Sequence, residues 1–210
     1  MKLHAETLLA GQSSVLAASA AVTQKWQAYL AGGMAAALQL GHRVSADFDW
    51  FTKNTLQPAD LLADVNSLGF PVQVRQNDEG TFLGQVGGIE FSVFRYRYEL
   101  VRPTVAYQGC ALASLSDIGA MKLAVICQRA QKRDYVDLHA IITVGRIPLA
   151  DLVLAWQKKY PGKDAQVSLK AATYFDDVDG DRMPEMLNNT IWTDVKKNLK
   201  QAVQRYLSRR

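Results

Sequence analysis

The sequence predicts a mixed α/β (α+β) fold, with strands and helices in residues 1–112 and helices alone in residues 113–210. Segments of the first half alternate polar and apolar residues, which is the period of a half-buried strand. In the second half apolar residues recur at three- and four-residue steps, the spacing of an amphipathic helix. With 49% hydrophobic and 21% charged residues, the 210-residue chain has the composition of a globular protein, which excludes the collagen-like and disordered classes.

The N-terminal region predicts a helix, a short strand and a second helix. Residues 5–25 are rich in Ala, Leu and Val and contain no Pro, which favours a helix. Residues 26–30 suit a brief strand that ends at the glycine pair 32–33. Residues 34–40 are good helix formers, and Gly41 is placed to cap the helix that they form.

A further strand, a helix and a meander of strands are predicted next. Residues 46–51 alternate polar and aromatic side chains, as a half-buried strand does. Residues 58–68 begin with Pro and stop before Gly69, as a helix often does. Three alternating segments separated by tight-turn residues then predict antiparallel strands, at 72–75, 81–86 and 89–94.

The second half predicts a series of helices. Ser116 and Asp117 offer an N-cap for the first of them. Residues 135–144 predict another helix, a third follows Pro148, and residues 192–206 carry the apolar spacing of an amphipathic C-terminal helix.

Charge and cysteine content limit the expected partners of the protein and its expected cellular compartment. The 24 Lys and Arg residues outnumber the 20 Asp and Glu residues, which gives a net charge of +4. Cys110 and Cys127 form no C-x-x-C pair and are few for a secreted scaffold, so a reducing cytoplasm is the predicted compartment. No apolar stretch approaches the roughly 20 residues that cross a bilayer, so no membrane partner is expected. The N-terminal apolar run is broken at residues 12–14, which favours an amphipathic helix over a secretory signal.

Two carboxylates, Asp47 and Asp49, are the first candidates for chemistry. On a strand, residues i and i+2 point to the same face, about 6.5–7 Å apart along the chain. Two carboxylates so placed can hold Mg²⁺ (or Mn²⁺), a hard cation that prefers oxygen ligands and phosphate partners. The alternative is a pair of acids that only face water.

Gly32 and Gly33 are the second candidates. Between a strand and a helix, two glycines let the backbone approach a ligand closely, and the helix N-terminus adds positive charge, so the pair can bind phosphate. The alternative is a sharp turn without a ligand. A phosphate cradle followed by a metal-binding acid pair fits one substrate, a nucleoside triphosphate (NTP) with its magnesium ion.

The glycine pair, thirteen further residues and the Asp-x-Asp pair form a pattern that resembles the nucleotidyltransferase superfamily. Residues 31–38 and 42–49 resemble the AbiEii/AbiGii toxin family within it, the type IV toxin–antitoxin toxins. A second block at 115–124 and 132–138 and a C-terminal segment at 174–177 are similar to further parts of that family. The resemblance implies a nucleotidyltransferase-like mixed sheet with flanking helices in residues 1–112 and a helical domain in residues 113–210.

The resemblance also implies a role for each matching residue. Asp47 and Asp49 would hold the metal, and Lys122 would neutralise triphosphate oxygens. Asp134 or Asp137 would act as a base for the incoming hydroxyl or orient another group. Glu90 is the only acid on a predicted strand that could supply a third metal ligand. The nucleotide-binding residues that the motifs predict are Gly32, Gly33, Arg43, Ser45, Lys122 and Arg129.

The resemblance predicts an enzyme that transfers a nucleoside monophosphate from an NTP to a hydroxyl acceptor, with the 3′ end of tRNA as the expected acceptor and a cognate antitoxin as a protein partner. Residues 191–210 carry six basic side chains against one acidic side chain, so this helix either faces solvent or contacts an RNA backbone. Met34 stands where many members carry a small hydroxyl residue, which leaves open a catalytically silent nucleotide-binding module that acts through a protein partner. A third possibility keeps the enzyme and changes the acceptor to a small molecule or a protein hydroxyl.

Overall fold

The computed structural model describes residues 2–209. It contains α-helices, two short 3₁₀ helices at Ala5–Thr7 and Asp176–Val178, and one mixed sheet. The helices are α1 (Gln12–Lys25), α2 (Gly32–Leu40), α3 (Pro58–Asn66), α4 (Leu115–Ile126), α5 (Lys132–Thr143), α6 (Leu149–Lys159), α7 (Ala165–Ala171) and α8 (Trp192–Leu207). The strands are β1 (Tyr29–Leu30), β2 (Phe48–Thr52), β3 (Val72–Asn77), β4 (Thr81–Val86), β5 (Ile89–Arg95), β6 (Val105–Tyr107) and β7 (Cys110–Leu112).

The sheet has the strand order β3-β4-β5-β2-β1-β7-β6, so β2 lies in its middle. The pairs β2–β5 and β1–β7 are parallel, and the other neighbouring pairs are antiparallel. Strands β3, β4 and β5 confirm the predicted meander. Along β2, Phe48, Trp50 and Thr52 are buried, while Asp49 and Phe51 alternate with them and are partly exposed. The central strand therefore presents a carboxylate on the face opposite to its buried aromatic residues.

The N-terminal predictions need two corrections, each with a backbone cause. The predicted helix over 5–25 begins only at Gln12, because Gly11 takes a left-handed conformation (φ 81°) that separates α1 from the short 3₁₀ helix. The strand predicted over 26–30 is reduced to β1, because Gln27 has a φ of 50° and breaks the extended chain. Gly41 caps α2 in the left-handed conformation, as predicted.

In the second half, two predicted helix starts were wrong. The hydroxyl of Ser114, not the Ser116-Asp117 pair, caps α4: its Oγ accepts a hydrogen bond from the backbone N–H of Asp117 at 3.0 Å. Helix α5 begins at Lys132 rather than 135, which brings Asp134 into its first turn. The amphipathic helix predicted over 192–206 is α8.

Three short elements were not predicted. Strands β6 and β7 have three residues each, and Gln108 and Gly109 join them with positive φ angles (48° and 78°). Helix α7 has seven residues and starts after Asp164, whose carboxylate accepts a hydrogen bond from the Gln166 N–H. Elements this short carry too few residues for a periodic signal.

A single hydrophobic core runs through both halves of the described chain. It includes Leu30 and Trp50 from the sheet together with Tyr135 and Leu152 from the helical half, all almost fully buried. Strands end at Leu112 and helices follow, as the sequence predicts, and the two halves pack against one shared core. No helix within residues 2–209 is long and apolar enough to cross a membrane. Arg210, part of the predicted basic tail, lies outside the described residues.

Candidate active site

A cleft of about 540 Å³ opens where the N-terminus of α2 and strand β2 meet α4 and α5. We refer to it as the main cleft. Its lining includes a group of charged and small residues and a group of aromatic residues. The first group is Gly32, Gly33, Arg43, Ser45, Asp47, Asp49, Lys122, Arg129, Arg133 and Asp134. The second group is Phe51, Phe94, Tyr96, Tyr98 and Tyr160, with Arg95 and Lys163 beside them.

The diglycine allows α2 to begin directly against the charged side chains. Gly32 is the first residue of α2 and has a φ of 64°, a conformation that favours glycine. A Cβ at Gly32 would lie 2.9 Å from Oδ2 of Asp49, and a Cβ at Gly33 would lie 2.2 Å from Nη2 of Arg43. The first N–H groups of a helix have no partner within the helix, so they can bind an anion here.

Asp47 and Asp49 both line the main cleft, one just before β2 and one within it. Burial, and then the neighbouring charge of Asp47, raise the pKa of Asp49. A cation bound between the two acids would offset both the cost of burying the Asp49 charge and its repulsion by Asp47. Nη1 of Arg133 approaches Oδ2 of Asp47 at 3.4 Å and supplies a weak partner for that carboxylate.

The donor set fits Mg²⁺, which proteins commonly hold through one or two carboxylates and substrate phosphates. Within residues 2–209, no three His, Cys, Asp or Glu side chains group closely enough to hold a metal ion, so the phosphates of a substrate would have to complete the coordination. Glu90 does not line the main cleft. It binds Arg75 and Gln85, and these hydrogen bonds lower the pKa of Glu90 to about 2.

Asp137 is the centre of a buried ion network behind the main cleft. It is fully buried, accepts hydrogen bonds from Nε and Nη2 of Arg43 at 2.6 and 2.9 Å, and lies 2.9 Å from Nε2 of His42. Nζ of Lys122 lies 2.7 Å from Oδ2 of Asp137 and 2.7 Å from Oδ1 of Asp134. The network therefore ties the α2–β2 loop, α4 and α5 together.

The charges of this network stay ionised despite their burial. Burial alone would raise the pKa of Asp137, but Lys122 and Arg43 hold it well below its ordinary value. Burial likewise opposes the charge of Lys122, and Asp137 and Asp134 overcome it and raise the pKa of Lys122. Asp137 is thus engaged by two cations and does not line the cleft, which suits an orienting group and not a base. Asp134 lines the cleft, and its Oδ2 has no hydrogen-bond partner among residues 2–209.

The loop that carries Arg43 and Ser45 is held from two sides. The amide of buried Gln12 donates hydrogen bonds to the carbonyl oxygens of Ser45 and Ala46, at 3.0 and 2.9 Å. On the other side Arg43 pairs with Met186 in an antiparallel bridge. Helix α1 and the chain before α8 therefore position the loop although neither contributes a side chain to the main cleft.

The aromatic residues that line the main cleft were not predicted from the sequence. The ring of Phe51 lies 5.4 Å from Phe94 and 5.3 Å from Tyr96, measured between ring centroids. Tyr98 packs edge-on against Tyr96 and Tyr160 at 5.2 and 4.7 Å. The aromatic residues following β5 were the available signal, but Tyr160 comes from the end of α6, more than sixty residues later in the chain.

The structure thus brings together nearly all of the site residues that the sequence predicts. The predicted residues that line the main cleft are Gly32, Gly33, Arg43, Ser45, Asp47, Asp49, Lys122, Arg129 and Asp134. Asp137 lies behind it within the ion network, and Glu90 is bound elsewhere by Arg75.

Known proteins were compared with the chain in sequence and in fold. No protein-family profile matches the sequence. An uncharacterized protein of Aquifex aeolicus, aq_aa25, is 32% identical over 183 residues, which cover 85% of this chain and 87% of that protein. The chain belongs to the aq_aa25 family. Membership of this family assigns no activity to the chain, so the evidence for its function comes from the fold and the site.

Solved structures identify the fold of the chain. A Helicobacter pylori protein proposed to be a nucleotidyltransferase superposes with a TM-score of 0.59 at 16% identity, covering 91% of this chain and 89% of that chain. MenT4, a nucleotidyltransferase toxin of Mycobacterium tuberculosis, gives 0.56 at 16% identity, covering 92% and 86%. JHP933 of H. pylori gives 0.51 at 14% identity over 98% of both chains. The fold is that of the nucleotidyltransferases, as the sequence predicts.

Proposed function

We propose that this protein is a Mg²⁺-dependent nucleotidyltransferase of the AbiEii toxin type. It would transfer a nucleoside monophosphate from an NTP to a hydroxyl acceptor. The observation that carries the proposal is the placement of Asp47 and Asp49 in one cleft with the diglycine start of α2 and the buried Lys122.

The main cleft suits an NTP in size and polarity. Its volume of about 540 Å³ lies within the range of small-molecule sites, about 300–1,000 Å³. The N–H groups of α2, Arg43 and Lys122 offer donors and positive charge to a triphosphate. Tyr96 and Tyr98 offer aromatic faces on which a nucleobase could stack. A ligand with an anionic part and a flat apolar part matches these two groups of residues.

The residues of the cleft supply positioning and charge. When bound between Asp47 and Asp49, Mg²⁺ would neutralise phosphate charge and activate the attacking oxygen. Arg43 and Lys122 hold fixed positive charge toward the phosphates because Asp137 orients both. As the acceptor oxygen forms a bond to the α-phosphorus, the bond between that phosphorus and the pyrophosphate oxygen breaks, and pyrophosphate leaves. Asp134 is the better placed of the two later acids to take the hydroxyl proton, since Asp137 is enclosed.

For the acceptor we propose the 3′ end of tRNA, in the reducing cytoplasm where NTPs are available. Arg95, Arg129, Arg133 and Lys163 surround the main cleft with positive charge that an RNA would meet. The fold likeness to MenT4, named as a nucleotidyltransferase toxin, supports a toxin role, and with it a cognate antitoxin as the protein partner.

Incubation of the protein with an NTP labelled at the α-phosphate, total RNA and Mg²⁺ tests the proposal. We expect label in the RNA, and we expect Asp49→Asn to reduce its rate at least a thousandfold. The matched control Asp60→Asn, an exposed acid on α3, should retain full activity. Absence of transfer, or equal transfer by Asp49→Asn, would contradict the proposal. NTP binding by calorimetry without any transfer would indicate the silent binding module, and label on protein would indicate a protein acceptor.

A further inference from the structure

A second cleft, of about 440 Å³, lies between the start of α4 and the exposed side of α6. We refer to it as the side cleft. Three basic side chains line it, Arg102, Arg146 and Lys158, together with the hydroxyl of Ser116. They come from three separate parts of the chain, namely the segment after β5, the loop after α5 and the last turn of α6.

The three basic side chains are exposed and have no partner within residues 2–209: none of them forms a hydrogen bond, an ion pair or a ring contact. Two acids lie near. Asp151 lines the side cleft and is exposed. Asp117 is fully buried, and its carboxylate is occupied by Lys159 and by the N–H groups of Val101 and Arg102. The side cleft therefore carries an excess of positive charge that the protein itself does not neutralise.

Arg146 takes a left-handed backbone conformation, with a φ of 54°. Glycine or asparagine would adopt it with less strain. The chain thus places a long cationic side chain at a position where its backbone geometry favours another residue.

The side cleft adjoins the main cleft along two segments, residues 98–101 and 158–163, each of which contributes residues to both clefts. Tyr98 and Lys163 belong to the main cleft, while Val101 and Lys158 belong to the side cleft. Three residues of chain reach at most about 11 Å, so Tyr98 and Val101 are no further apart than that. The two clefts therefore lie close enough for neighbouring nucleotides of one strand to reach both. Glu99, between them, is paired with Lys53.

We infer that the side cleft binds the phosphodiester backbone of a polynucleotide strand whose end enters the main cleft. The inference rests on the proposed function in one respect, since it takes the acceptor to be a polynucleotide. The phosphates of a strand repeat at regular intervals, so they can contact several cations that are separated from one another. The three cations of the side cleft are separated in this way, and they lie next to the proposed nucleotide site. The inference places the contact at the side cleft, and of the two roles that the sequence leaves open for the C-terminal helix it favours the one facing solvent.

Binding of a fluorescently labelled single-stranded RNA, followed by anisotropy without NTP, tests the inference. We expect the triple variant Arg102→Gln, Arg146→Gln, Lys158→Gln to bind at least tenfold more weakly. Its plot of log affinity against log salt concentration should be shallower by about 2, since each lost phosphate contact removes about 0.7. The matched control is Lys197→Gln, Lys200→Gln, Arg205→Gln on α8, which removes the same charge and should change binding less than twofold.

Two further measurements separate the possible failures. NTP binding by calorimetry should be the same in the triple variant and the wild type, because no changed residue lines the main cleft. Arg146→Gly alone should weaken RNA binding without lowering the unfolding temperature, since glycine relaxes the backbone at that position.

The inference is overturned if the wild type binds no RNA, if the triple variant binds RNA as the wild type does, or if the α8 variant loses as much affinity. Tighter binding of a polyglutamate peptide of equal charge, lost in the triple variant, would assign the side cleft to an acidic protein and also overturn it. Because this binding requires no nucleotidyl transfer, an absence of transfer with intact RNA binding would count against the proposed function alone.

Discussion

Asp49 is half-buried beside a second carboxylate, and both its partial burial and that neighbouring charge raise its pKa. An acid whose pKa is raised by folding binds protons more readily in the folded state than in the unfolded state. The protein therefore loses stability as the pH rises from the ordinary aspartate value of 3.8 through the raised value. At neutral pH the carboxylate of Asp49 is destabilising until a cation compensates it, as is common for residues that serve a ligand and not the fold.

We therefore predict that Asp49→Asn unfolds at a higher temperature than the wild type at pH 7 without ligand, and that this difference shrinks as the pH falls toward 4. Mg²⁺ with a non-hydrolysable NTP at a hundred times its dissociation constant should stabilise the wild type by about 2.7 kcal/mol. The variant should gain much less. Thermal unfolding across this pH range, with and without ligand, measures both effects. A variant less stable than the wild type at pH 7 would show that Asp49 supports the fold.

At the scale of elements, α5 joins the helical half to the site. Its first turns carry Asp134 and Asp137 three residues apart, so both lie on one face of the helix. This face meets Lys122 from α4 and Arg43 from the α2–β2 loop. Removing one partner of a buried ion network leaves uncompensated charges, whereas an exposed pair contributes little.

Asp137→Ala should accordingly lower the free energy of unfolding by about 3–5 kcal/mol, because Arg43 and Lys122 would remain buried without their shared carboxylate. The exposed pair of Lys53 and Glu99 is the control, and Glu99→Gln should cost about 1 kcal/mol or less. Since folding lowers the pKa of Asp137, the stability it supplies is present above pH 3.8 and is lost as the pH falls toward the lowered value. Urea unfolding at pH 7 and at pH 3 measures the loss of stability in each variant and its dependence on pH. Equal losses in the two variants would refute the stabilising role of the network.

At the scale of the whole molecule, the helical half completes the sheet half. Residues of both halves share one core, Asp137 binds Arg43 across 94 positions, and Met186 pairs with the strand-like segment at Arg43. The main cleft itself has walls from both halves. The change from strands to helices at residue 112 therefore does not separate two hydrophobic cores.

The full chain should unfold in a single cooperative transition, with equal calorimetric and van't Hoff enthalpies. A fragment of residues 1–112 should show no cooperative unfolding on its own, because it would expose the part of the core that α4 and α5 cover. Differential scanning calorimetry of the two proteins provides the measurement. Two separate transitions in the full chain would support independent domains at the predicted boundary.

Sequence patterns predicted those parts of the site whose signal is local. Gly32 and Gly33 stand next to each other, Asp47 and Asp49 are two positions apart, and both motifs adjoin an element of regular period. A resemblance to a known family then added Lys122, Arg129 and Asp134, which no local pattern marks. The residues that neither source supplied, such as Tyr98 and Tyr160, reach the main cleft from loops and helix ends without a periodic signal.

The sequence by itself determined the order of most strands and helices, the diglycine start of α2 and the paired acids at the start of β2, because these depend on neighbours within a few positions. Tertiary structure alone decided that Asp137 is enclosed and orients Arg43 and Lys122, that Glu90 is bound away from the main cleft, and that Arg102, Arg146 and Lys158 form one basic surface. Burial, ion pairing and pKa are set by groups that are distant in the chain and adjacent in space, and a residue's local sequence does not contain them.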